Sequence, residues 1–76
     1  MTTLAQRRAW AGIRVEKAWA RYNRAVERHV QTVVSVGAEL YRTEAEDRKV
    51  ARSKARMEAA RVAYDKARAL AREVER

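Results

Sequence analysis

From Leu4 onward, apolar residues recur along this chain at helical spacing. In the first half they fill heptad a and d positions: Gly12, Val15, Trp19, Tyr22, Val26, His29, Val33, Val36 and Leu40. The seam is lost at Thr43 and Asp47. It resumes in a different phase at Val50, Ser53, Met57, Ala60, Tyr64, Ala67, Ala71 and Val74. Two stripes separated by a repeat break predict two helices that do not share one axis. The β-branched run from Val30 to Val36 would have no partner as a strand, so it is expected to be held helical by packing.

Short polar signals punctuate the pattern. Thr3 followed by Gln6 forms a capping box just ahead of the first periodic residue, and Thr43 followed by Glu46 forms a second. Gly37 between them suits a left-handed helix C-cap. The prediction is a single all-α domain over residues 1–76, an antiparallel, coiled-coil-like two-helix hairpin. Helix 1 covers about 4–37, the turn about 37–43 and helix 2 about 44–75. Centring the turn near residues 39 and 40 sets Trp19 against Ala60, Val15 against Tyr64 and Tyr22 against Met57, with Glu16 close to Arg61. A continuous rod through Gly37 would cost only ~1 kcal/mol for the glycine, but it leaves the phase change unexplained.

A two-helix chain of 76 residues has little core. Domains this small usually lean on disulfides, metals or self-association. Cysteine is absent and His29 is the only histidine, so thiolate and zinc staples are excluded and association remains. Leu4, Ala11, Ala18 and Ala25 share one column of helix 1, and Ala63 and Leu70 extend the same edge in helix 2. This edge is the expected oligomer seam, completing a helical bundle from two or more copies.

Charge adds a partner class. Eighteen Lys and Arg against ten Asp and Glu give a net charge of +8, which attracts anions. Arg7, Arg14, Arg21 and Arg28 recur every seven residues in helix 1, and Lys17 and Arg24 fill the adjacent column with no interleaved acid. Such a stripe costs about 0.2–0.5 kcal/mol per i,i+4 pair and suits a phosphate backbone. In helix 2, Lys54, Arg61 and Arg68 alternate with Glu58 and Asp65, as on an ordinary solvated face. Trp10 and Ile13, placed away from the expected hairpin seam with Arg7 and Arg14 beside them, form a candidate protein-binding cluster, because Trp and Arg are enriched in interface hot spots.

Nothing in the sequence places a nucleophile beside His29, whose expected role is a seam imidazole bonded to a hydroxyl near Val50 or Ser53. A two-helix hairpin offers no convergent pocket, so no catalytic, cofactor or metal site and no small-molecule substrate are expected. The tripeptide Trp10, Ala11, Gly12 is similar to that of small helical hairpins of the WXG100 class. There it occupies the turn, whereas here it lies in helix 1, so it assigns no family. No apolar run reaches the ~18 residues of a membrane span, and the stretch around Arg7 and Arg8 lacks a signal-peptide core. The sequence reads as a cytoplasmic, non-enzymatic accessory or regulatory protein that self-associates and binds a protein partner through helix 1. The alternatives are sequence-nonspecific nucleic-acid binding through the basic stripe, or a structural coiled-coil role in a larger assembly such as a virion.

Overall fold

The computed structural model describes residues 2–37 and 39–75. Residue 38 of the expected turn and the terminal residues 1 and 76 lie outside them. Two helices, α1 (Leu4–Val36) and α2 (Glu44–Glu75), fold back on each other as an antiparallel hairpin, joined through a single 3₁₀ turn at Glu39–Tyr41. A 33-residue helix is about 50 Å long, which accounts for most of the 57 Å long axis of the molecule.

Both capping boxes form. Thr3 Oγ1 accepts from the Gln6 amide at 3.1 Å while Gln6 Oε1 accepts from the Thr3 amide at 3.0 Å. At α2 the Glu46 amide donates to Thr43 Oγ1 at 3.2 Å, and Glu46 Oε1 accepts from the Thr43 amide at 3.1 Å. These bonds satisfy amide donors that a helix N-terminus otherwise leaves open. Gly37 donates to the Val33 carbonyl at 3.2 Å and ends α1, but with φ 76° and ψ −160°. That is not the left-handed helical cap expected. It is an extended positive-φ conformation open essentially to glycine alone, which turns the chain sharply off the helix axis. The run Val30–Val36 is helical throughout, with Thr32 Oγ1 donating back to the Arg28 carbonyl at 2.7 Å.

The line where the helices meet holds Val50, Ser53, Met57, Ala60, Tyr64, Ala67, Ala71 and Val74 of α2, all half-buried or better, in the phase read from the sequence. In α1 the half-buried residues are Ala11, Ala18, Ala25 and Thr32 together with Val15, Tyr22, Val26, His29 and Val36, the last five as expected. Gly12, Trp19, Val33 and Leu40, expected at the seam, are exposed. The inward face takes in the alanine column beside the expected one, which lets the two backbones approach while the indole of Trp19 is accommodated at the flank. Tyr64 packs on Trp19, four residues beyond Val15, with ring centroids 5.1 Å apart, and on Tyr22 at 6.3 Å. An aromatic pair of this kind is worth about 0.5–1.5 kcal/mol beyond area burial. In this register Arg61 pairs with Glu58 of its own helix at 3.3 Å instead of with Glu16.

His29 Nδ1 lies 2.8 Å from Ser53 Oγ, which also donates to the Val50 carbonyl at 2.9 Å. The serine has one proton, so if it serves the carbonyl, the imidazole is the donor across the helices. Near the turn, Arg42 is tucked in at 13% side-chain exposure and reaches Asp47 as an ion pair at 3.8 Å. Only Ala60, 8% exposed, is buried among the described residues.

Candidate nucleic-acid interface

Hairpin closure brings one flank of α1 alongside one flank of α2, and between them runs a groove of about 960 Å³. Its walls carry Arg21, Arg24 and Arg28 from α1 and Lys49, Arg52 and Arg56 from α2. Each helix places its three cations at i, i+3 and i+7, so two equal rows face each other along antiparallel axes. Alanines 25, 59, 60 and 63 keep the groove open between them, and Gln31, Thr32, Ser35 and Ser53 add neutral polar groups. Among the described residues no carboxylate lines it. Among the described residues the ion pairs are Arg42 with Asp47 and Arg61 with Glu58, so the chain's own acids leave these six cations alone.

The row in α1 continues toward its N-terminus through Lys17 and Arg14, which repeat the same three-and-four spacing, and then Arg7. All of these side chains are exposed. Lys49, Arg52 and Arg56 were not singled out by sequence, because one row of cations on a helix is commonplace until a second row stands opposite it. The other flank of α2 differs. There Arg61 is paired with Glu58, and Arg68 lies over the Tyr64 ring at 5.5 Å, a cation–π contact.

Where the basic flank runs toward the end remote from the turn, a smaller cleft of about 180 Å³ is lined by Arg7, Trp10, Ala11, Arg14, Ala67, Leu70, Glu73 and Val74. Trp10 therefore does not occupy the far side of α1 as expected. It leans over the junction with α2 and remains 52% exposed. The structure thus unites Trp10, Arg7 and Arg14 with Ala11 and Leu70 in one cleft, and leaves Ile13, 48% exposed, outside it. Of the residues read as an oligomer seam, Ala11, Ala18 and Ala25 are half-buried along the hairpin's own junction, and Leu4, Ala63 and Leu70 are exposed.

No helix among the described residues is long and apolar enough to cross a membrane. No protein-family model matches the sequence, and no curated protein or solved structure matches it either.

Proposed function

We propose that this protein is a non-enzymatic binder of nucleic-acid backbone, seating phosphates between the two cationic rows of its hairpin. The observation that carries the reading is the groove itself: six cations from two helices, aligned on facing walls, with no acid among the lining residues. Holding like charges together costs folding free energy, and a polyanion removes that cost while releasing its own counterions. The walls offer no zinc-finger or helix-turn-helix arrangement, and a guanidinium row recognises phosphate without reading base edges. Binding is therefore directed to the backbone and indifferent to sequence.

Titrating duplex DNA and single-stranded RNA of unrelated sequences at several salt concentrations tests this. With four to six phosphates engaged, affinity for duplex falls with a log–log slope of about −4 to −5. Arg21→Glu combined with Arg56→Glu, one from each wall, flattens the slope by about 2 and weakens every sequence alike. An affinity insensitive to salt, or unchanged by the paired reversal, refutes the reading.

A second reading is favoured by the exposed indole of Trp10 beside Leu70 and Val74. It is a protein partner gripped by Trp10, Arg7 and Arg14, since a large aromatic ring flanked by arginines has the composition of an interface hot spot.

A further inference from the structure

We propose that two copies of this chain pair through the flank of α1 opposite the basic groove, the strip carrying Trp19, Val26, Val30 and Val33. The first argument is area. The chain exposes 6405 Å², whereas a compact monomer of 8.8 kDa exposes about 4,800 Å². The excess, about 1,600 Å², is twice the ~800 Å² per partner of a standard protein interface. A second copy is the occupant that can remove so much surface with what the chain itself supplies, in a protein without cysteines to staple it.

Charge decides which face pairs. At +8 per chain, two copies cannot meet across the groove, where the cations are concentrated. On the opposite flank, the two adjoining columns of α1 that run from Ala9 to Val33 contain one charged side chain, Glu16, and no Lys or Arg. Trp19 is 49% exposed there, Val30 53% and Val33 36%, an apolar band about 20 Å long. The α2 border of the band carries both signs, with Arg61 already neutralised by Glu58. Mixed charge around an apolar centre is the anatomy of a protein interface. The edge that sequence pattern suggested as the seam, ending in Leu70, lies on the basic side instead.

This pairing does not rest on nucleic-acid binding and is tested without it. Nuclease-treated protein in high salt is examined by sedimentation equilibrium, and in a Trp10→Phe background so that Trp19 fluorescence alone reports. The wild-type chain sediments as a dimer, and Trp19 emission shifts to the blue as concentration rises. Val30→Glu, at an exposed helical position, keeps its helical circular dichroism but raises the dimer dissociation constant by more than about tenfold. Leu70→Glu leaves the dimer intact. A wild-type monomer throughout the concentration series, or a dimer that Leu70→Glu dissociates and Val30→Glu does not, overturns the proposal.

Discussion

Trp19 of α1 and Tyr64 of α2 meet edge to face across the helix pair, inclined at 65° with centroids 5.1 Å apart. Tyr22 completes the cluster at 6.1 Å from Trp19, and Arg68 covers the Tyr64 ring. In a hairpin with so thin an interior, three rings in mutual contact add to what holds the helices together.

Replacing Tyr64 by Ala should therefore lower stability by about 2 kcal/mol, less than the truncation of a fully buried aromatic because the ring is only half covered. A double-mutant cycle with Trp19→Ala in urea denaturation should give a coupling of about 0.5–1.5 kcal/mol. Additive losses would mean that the rings stabilise their own helices and not the pairing.

The two glycines should respond with opposite signs. A Cβ at Gly12 meets nothing within 4 Å, and the residue lies inside α1, so Gly12→Ala should stabilise by about 1 kcal/mol. A Cβ at Gly37 also has space, but the φ of 76° does not suit an L side chain, so Gly37→Ala should destabilise by about 1–2 kcal/mol. Equilibrium unfolding of both variants checks the pair. A neutral Gly37→Ala would show that the chain can turn without this conformation.

Acid should weaken the start of α2. The Thr43 amide, and then the Thr43 hydroxyl, donate to the Glu46 carboxylate and hold its pKa below the ordinary glutamate range. The folded pKa is depressed, so this contribution is complete above the unfolded value, about pH 4.3, and is lost as pH falls through the lower folded value. Glu46→Gln keeps the capping geometry without the charge. The wild-type advantage in Tm over this variant should be present at neutral pH and vanish in acid, and an advantage that persists in acid would assign it to something other than ionisation.

Trp10 separates the two partner classes. Trp10→Ala should abolish capture of a protein partner from the source cell while leaving the salt slope on duplex DNA unchanged, because the indole lies in the small cleft and not in the six-cation groove. The paired reversal of Arg21 and Arg56 should do the opposite. Loss of both activities with either variant would merge the two surfaces into one.

The ends of the helices were legible because their signals are local. A threonine three residues ahead of Gln6 or Glu46 means the same wherever it occurs, and the glycine at 37 marked where α1 stops though not the backbone conformation it takes there. The seam of α2 was equally legible, since Val50, Ser53, Met57, Ala60, Tyr64, Ala67, Ala71 and Val74 keep one phase free of charge along the whole helix. In α1, the columns of Ala18 and Trp19 are both apolar, and nothing in the one-dimensional pattern says which turns inward. Close backbone approach decides that, and it exists only once α2 is present. Half of the groove escaped for the same reason, because Lys49, Arg52 and Arg56 acquire meaning only from Arg21, Arg24 and Arg28 across from them.

With Ala60 alone buried among the described residues, cohesion is distributed along the whole junction and no single locus locks it. Such a molecule behaves like a zip fastener, parting gradually from the end remote from the turn instead of bursting open. Anything that bridges the two rows fastens teeth on both sides at once, so occupancy of the groove and persistence of the hairpin rise and fall together.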